Sequence, residues 1–259
     1  MVDRPVALIT GASMGIGEAF ADALAARGYD LVLVARSADL LERLATRLHA
    51  RNGVRAEVVA TDLTDPASIE RVASAAETAF SHIDLLVNNA GFGAHGAFEQ
   101  LDGSKTLGQV DLNVAALVAL THRIAPHMLV RGSGGIINVA STAAFQPVPW
   151  MAVYGATKAF VLSFSEALAE EFCSRGVRVL AFCPGATATN FFAVAGERSA
   201  LGKRRPVMAA VQNALRAYDR GKTFAIDGAL NRALAFSPRL IPRSLIAKLA
   251  GRMMRGDAV

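Results

Sequence analysis

Tyr154 and Lys158 stand four residues apart in STAAFQPVPWMAVYGATK, residues 141–158. On a helix that spacing puts both on one face, about one turn from each other. A free phenol, with a pKa near 10, is a poor acid or base at neutral pH, but an ammonium a few ångströms away favours the phenolate and brings the group toward the working range. A hydroxyl such as that of Ser141 can hydrogen-bond the same substrate oxygen and hold it beside the phenol. The chemistry in view is proton exchange at an oxygen. Chance also places Tyr-x-x-x-Lys pairs on surfaces, so the reading turns on what the preceding chain builds.

That chain alternates two patterns. Apolar runs over 6–10, 31–35, 55–60, 83–87, 136–140 and 177–183 read as strands, with helical periodicity after Gly17 and over 40–48, 69–80, 107–129 and 154–172. Strands that are apolar throughout, each followed by a helix, indicate a parallel sheet covered on both faces. A strand over 221–226 completes the expectation of an α/β chain: one doubly wound Rossmann domain, a seven-stranded parallel sheet with helices on both faces, and ligands beyond the carboxyl ends of the strands. No linker, internal repeat or low-complexity tract divides the 259 residues.

The first turn of this scaffold, TGASMGIG at 10–17, lies between a strand and a helix. Glycines there let the backbone turn tightly and approach a pyrophosphate, while the helix N-terminus offers amide donors and partial positive charge. Gly11, Ser13, Met14, Gly15, Ile16 and Gly17 are the candidate dinucleotide cradle. The second strand ends VLVARS. A carboxylate at that point would bond the ribose hydroxyls of NAD and repel a 2′-phosphate, whereas Arg36 pairs with phosphate and Ser37 adds a donor. NADP(H) is therefore favoured over NAD(H); the competing reading is that Arg36 only caps a surface strand.

Composition sets the outer limits. With 53% hydrophobic and 19% charged residues, the chain is neither disordered nor collagen-like. It has no run of eighteen apolar residues and no signal-peptide layout, so a cytoplasmic place is the default. Cys173 and Cys183 lie in apolar surroundings and are expected to be buried free thiols. Together with five dispersed His they show no metal-ligand spacing. The net charge of +5 conceals an asymmetry: residues 1–196 carry 14 basic and 18 acidic side chains, residues 197–259 carry 13 and 4. An electrostatic partner would meet the C-terminal quarter, and no pattern calls for nucleic acid.

In order, TGASMGIG, Asp62-Leu63 after the third strand, NNAG at 88–91, Asn113 in the long helix, Ser141, YGATK at 154–158 and PGATAT at 184–189 resemble the short-chain dehydrogenase/reductase family. The resemblance spans about residues 5–190. It implies that Tyr154 exchanges the proton with the substrate oxygen, that Lys158 lowers the Tyr154 pKa and holds the nicotinamide ribose, that Ser141 orients the carbonyl, and that Asn113 anchors a relay water. It implies further that Asp62 and Leu63 flank the adenine, that Asn89, Ala90 and Gly91 line the cofactor cleft, and that Pro184, Gly185, Thr187 and Thr189 approach the nicotinamide. Asn113 also reads as a helix residue that back-bonds or faces solvent, and Asn88 as an amide tying strands together. Thr187 stands where many members carry an aliphatic residue, and Ala140 where a serine commonly precedes the catalytic one; neither departure removes an essential group.

Segments 92–98, 142–151 and the loop after Pro184 should form the mouth. They contribute Phe92, Phe145, Trp150, Met151, Phe191 and Phe192, which suit an apolar carbonyl or alcohol substrate, although each also reads as ordinary core. His95 reads as a solvated loop histidine or a substrate contact. Residues 190–206 resemble a lid hinged at Gly196 and Gly202, with Arg198, Lys203, Arg204 and Arg205 facing solvent or a phosphate. The basic extension 228–259 carries a helix from about Ser244, with Leu245, Ile246, Leu249 and Met253 on one face and Lys248, Arg252 and Arg255 opposite. It fits packing on its own domain or a second subunit ahead of an anionic membrane surface. The layout is similar to the branch with 11β-hydroxysteroid dehydrogenase-like and bacterial ketone reductases. The implied activity is NADPH-dependent reduction of a ketone or aldehyde, in a homodimer or homotetramer. The rivals are an NAD-linked alcohol dehydrogenase and a non-catalytic NADPH sensor; intact Ser141, Tyr154 and Lys158 argue against the sensor.

Overall fold

The computed structural model of the protein describes residues 4–189, 191, 195, 204–237 and 242–255. Strands β1 Val6–Thr10, β2 Asp30–Ala35, β3 Ala56–Ala60, β4 Leu85–Asn88, β5 Gly134–Val139, β6 Val177–Cys183 and β7 Phe224–Ile226 form one sheet in the order β3-β2-β1-β4-β5-β6-β7. Every pairing is parallel. The chain runs outward from β1 to β3, then returns to lay β4 on the other side of β1. Connections diverge at that reversal, and a crevice opens beyond the carboxyl ends of the strands.

The sheet is buried on both faces, which is why β1 is apolar without alternation. One face is covered by helices α1 Gly15–Ala25, α2 Ala38–Asn52 and α7 Val207–Asp219, through residues such as Phe20, Leu41 and Val211. The other is covered by α3 Ala67–Ala79, α5 Leu117–Arg131 and α6 Ala152–Cys173, through Val72, Leu120 and Phe172. Among them runs a buried polar chain. Asn88 Nδ2 donates to Asn138 Oδ1 and to Thr121 Oγ1, each at 2.9 Å, and Asn138 Nδ2 donates to Ser165 Oγ at 2.9 Å. With Asn88 opposite Asn138 in the ladder, these amides lock β4, β5, α5 and α6 in one register, since a slip would leave them unpaired in the core.

Several expectations are corrected. The helix expected over 107–129 is longer: α4 Gly103–Val110 is capped by Asp102, which accepts from the Lys105 amide at 2.8 Å. A π-helical turn, Asp111–Ala116, then joins α4 to α5. The seventh strand is shorter, because Gly221 and Lys222 close α7 by donating to Tyr218 O (2.9 Å) and Ala217 O (3.1 Å). Both cysteines are free, but only Cys183 is buried; Cys173 is exposed, turned outward where its neighbour Phe172 turns in. Most of the expected lid, with Phe192, Gly196, Arg198, Gly202 and Lys203, lies outside the described residues.

Candidate active site

On the first side of the crevice, backbone-directed hydrogen bonds stitch the ends of β1 and β4 together. The Asn89 and Ala90 amides donate to Thr10 Oγ1 at 2.9 and 3.0 Å, and Asn89 Nδ2 donates to the carbonyls of Thr10 (2.9 Å) and Gly11 (3.2 Å). The loop after β1 is thereby folded so tightly that a Cβ on Gly17 would lie 2.1 Å from the Gly11 carbonyl oxygen. Helix α1 begins at Gly15 behind an extended Met14, with no side chain capping it. Its first turn and Thr189 share a cleft of about 550 Å³ with Arg204. An open helix N-terminus and close-packed glycines suit a pyrophosphate. At the neighbouring strand ends, Arg36 and Ser37 are exposed, and the Ser37 hydroxyl does not cap α2. Asp62 turns on itself, accepting from the Thr64 amide (3.0 Å) and hydroxyl (2.8 Å). These bonds, helped by Arg36, hold its carboxyl below the usual range; Leu63 behind it is buried.

The second side carries the reactive groups. Ser141 follows β5 and starts a short 3-10 turn, Thr142–Phe145, its Oγ accepting from the Ala143 amide at 3.1 Å. The Ser141 hydroxyl is close enough to the Tyr154 phenol to act on its pKa. Lys158, one turn along α6, is buried at 6% exposure; its Nζ donates to Val139 O at 2.7 Å and lies 5.9 Å from the centre of the Tyr154 ring. The expected depression of the phenol by Lys158 is not what this geometry produces. Tyr154 is half-buried; loss of water around it pushes the phenol up to about 12, and the nearby Ser141 hydroxyl pulls it back. Burial also lowers the Lys158 amine to about 8.

Asn113 neither back-bonds nor faces solvent. It sits in the π turn, where Oδ1 accepts from the Phe92 amide (3.0 Å) while Nδ2 donates to Phe92 O (2.9 Å) and Thr157 Oγ1 (3.0 Å). A Cβ on Gly91 would come within 2.8 Å of Asn113 Oδ1 and 3.5 Å of Lys158 Nζ, so only glycine admits both. The loop after β6 is tied back as well: Thr142 N donates to Pro184 O (3.0 Å) and Thr187 Oγ1 donates to Gly185 O (3.0 Å). Arg205 is committed to the buried Asp227 at 2.7 Å and brackets that loop through Ala186 O and the Ala188 amide, which corrects its reading as a lid cation for solvent or phosphate.

A helix from the far end of the chain closes the outer wall. In α9, Arg243–Arg255, which follows α8 Ala229–Phe236, the buried stripe is Ile246, Ala250 and Met254, while Leu245 (47% exposed), Leu249 (47%) and Met253 (66%) face out. The expected apolar face was thus displaced by one residue, and Gly251 beside it comes against Pro149, where an added Cβ would lie 3.6 Å from Pro149 Cγ. Trp150 Nε1 donates to Gly251 O at 3.2 Å. His95 Nε2 is 3.0 Å from Met254 O, and because a carbonyl only accepts, that ring nitrogen carries the proton; His95 is half-buried and tied to α9 where a solvated loop histidine was one expectation. Met254 joins Met151 and Ala195 in a cluster against which Tyr154, Trp150, Phe191 and Val148 pack, with the Phe191 ring 5.2 Å from that of Tyr154. Of the expected lining, Phe145 instead joins the core around Leu117 and Val161, and Phe92 turns toward Gly108.

The short-chain dehydrogenase family model matches residues 5–200. The chain belongs to the short-chain dehydrogenase family. A sulfoacetaldehyde reductase of Chromohalobacter salexigens is 38% identical over 185 residues, 71% of this chain and 72% of that protein. A short-chain dehydrogenase from Sphingobium yanoikuyae in complex with NADPH superposes with a TM-score of 0.81 at 36% identity, covering 98% of this chain and 96% of that one. A bulky-bulky ketone specific alcohol dehydrogenase from Comamonas testosteroni gives 0.80 at 34% identity, with 95% of each chain covered.

In this short-chain dehydrogenase, sequence reasoning missed Thr10, Thr157 and Met254. Thr10 opens the very motif that was read for its glycines, and a hydroxyl at a strand's carboxyl end was a usable sign. Met254 lies four residues after Ala250 and eight after Ile246, a helical stripe hidden by the small size of its middle member.

Proposed function

We propose that the chain is an NADP(H)-dependent reductase that converts a ketone or aldehyde on an apolar substrate to the alcohol, reversibly. The observation that carries this reading is the grouping of Ser141, just past β5, with Tyr154 and Lys158 one turn apart on α6, the Lys158 amine 5.9 Å from the centre of the Tyr154 ring, walled by Met151, Phe191 and Met254. A sensor that only binds a nucleotide has no need of it. The glycine loop and the α1 N-terminus fit a dinucleotide pyrophosphate, and Arg36 supports NADP(H), since Asp62, a carboxylate that feels its charge, is occupied by its own turn. The NADPH carried by the Sphingobium neighbour and the ketones named for the Comamonas enzyme support it too.

When bound, the reduced nicotinamide supplies the hydride. The chain's own groups handle the oxygen. Ser141 holds the carbonyl oxygen beside the phenol. Tyr154, kept protonated by burial, passes its proton to the oxygen as negative charge develops there, downhill because an alkoxide is more basic than a phenolate. Lys158 places positive charge at the phenolate left behind when protonated, and Asn113 keeps Phe92 and α6 at fixed separation. The relative that acts on sulfoacetaldehyde raises a polar alternative, against which the methionines and Phe191 at the phenol weigh.

The test is cofactor consumption with bulky aryl ketones, aldehydes and sulfoacetaldehyde, using NADPH and NADH in parallel, on the wild type and Tyr154→Phe. Turnover of the ketones with NADPH is expected, falling by roughly 10²–10⁴ in the variant. Turnover that survives the substitution would refute the assigned acid; equal or faster turnover with NADH would refute the cofactor preference; and none on the whole panel would favour the sensor.

A further inference from the structure

Behind the loop that leads into α4 lies a second cavity, of about 260 Å³, to which Ser141, Tyr154 and Lys158 contribute nothing. The loop 93–97 serves both spaces: Gly93 faces Tyr154, Met151 and Phe191, whereas Ala94, Gly96 and Ala97 line the second cavity. Its walls are mostly apolar, with Phe98, Leu101, Trp150 and Val153. At its lining sits Gln109, only 1% exposed, and neither its Nε2 nor its Oε1 has a hydrogen-bond partner among the described residues. A buried amide without partners is costly and rare in folded chains. A second anomaly adjoins it: Trp150 is held at φ 67°, a conformation that bulky side chains seldom adopt and that concentrates at ligand clamps.

We propose that this cavity is a binding site for a small uncharged carboxamide carried on an apolar body, with Gln109 as the group that recognises it. The chemistry follows from what Gln109 leaves open. Its Nε2 needs an acceptor and its Oε1 a donor, side by side, which a carboxamide supplies from one planar group. A carboxylate offers acceptors only, so Oε1 would stay unmet, and Glu99 in the lining repels it. An ammonium offers donors only, and Nε2 would stay unmet. The volume corresponds to several waters, enough for a single ring against Trp150 and Phe98. The site stands apart from the carbonyl chemistry, and its occupant would touch both α4, just ahead of the π turn that carries Asn113, and the start of α6, just ahead of Tyr154.

The test titrates benzamide, cyclohexanecarboxamide and valeramide, with benzoate as the anionic control, into the full chain by calorimetry and ligand-observed NMR. Wild type, Gln109→Leu and Tyr154→Phe are compared. At least one amide is expected to bind saturably to the wild type and to Tyr154→Phe, and about tenfold or more weakly to Gln109→Leu, with benzoate weaker than benzamide. Gln109→Leu should also melt higher than the wild type, by roughly 2–4 °C, because it removes an unmatched buried amide; that result separates lost recognition from lost folding. The proposal is overturned if amide affinity is unchanged in Gln109→Leu, if it disappears in Tyr154→Phe and so belongs to the catalytic cleft, if none of the three amides binds, or if Gln109→Leu melts several degrees lower, which would show that the amide has a structural partner.

Discussion

The two sides of the crevice are both held by side chains on main chain, but the main chain comes from different places. On the nucleotide side, side chains of particular type reach across to backbone: Thr10 and Asn89 join two strand ends; between the sides, Asn113 grips both the N–H and the C=O of Phe92. On the substrate side the same kind of bond runs to a distant element, and carbonyls of α9 receive Trp150 and His95. Any residue can present a carbonyl, so that side demands little of α9 beyond shape. The contrast teaches where residue identity is required and where it is free, a pattern suited to a fixed cofactor and a variable substrate.

Substitutions on each side and at their junction can break this contrast. Gly17→Ala should be the most damaging, since the added Cβ at 2.1 Å from a main-chain oxygen forces the loop to move; a displacement of this kind costs about 100-fold, read as NADPH affinity by fluorescence titration. Affinity within a few-fold of wild type would show that the loop is not rigid. Lys158→Met, where the two sides meet, should act through pH. The amine titrates at about 8 in place of 10.5, so between those values the unfolded chain holds a proton that the folded chain has shed, and wild-type stability rises with pH through that window. The variant should be more stable than wild type at neutral pH, by on the order of 3 kcal/mol, and the gain should fade as pH climbs from about 8 to 10.5; a gain that stays constant in urea titrations across that range would contradict the assigned cause. The smallest effect distinguishes adjacent methionines. Met254→Ala should cost about 2 kcal/mol and raise KM for bulky ketones more than it lowers kcat, while Met253→Ala should stay within about 0.5 kcal/mol. The reverse ranking would mean that α9 packs by its other face.

The sheet, its parallel sense and the order of the site motifs were legible because strands buried on two faces write themselves as apolar runs, and because Tyr154 and Lys158 are linked by local helical spacing. The glycine loop was legible for the same reason, its shape being encoded within eight residues. What escaped was non-local. The acceptors of His95 and Trp150 are carbonyls of α9, which no side-chain pattern marks. The π turn depends on Asn113 bonding Phe92, 21 residues away, and the phenol's high pKa depends on burial that only packing reveals. Cys173 was misread because composition around a residue does not say which way it points from its helix.

Trp150 lies four residues ahead of Tyr154 with its backbone wound left-handed, its carbonyl taking the Gly96 amide at 2.8 Å and its indole reaching α9. One of the holds on that turn therefore comes from the other extremity of the polypeptide. For anyone preparing the protein the consequence is directional: an affinity tag or fusion partner joined behind α9 bears on the approach to Tyr154, whereas one joined ahead of β1 departs from the amino ends of the strands, at the opposite end of the sheet from Tyr154.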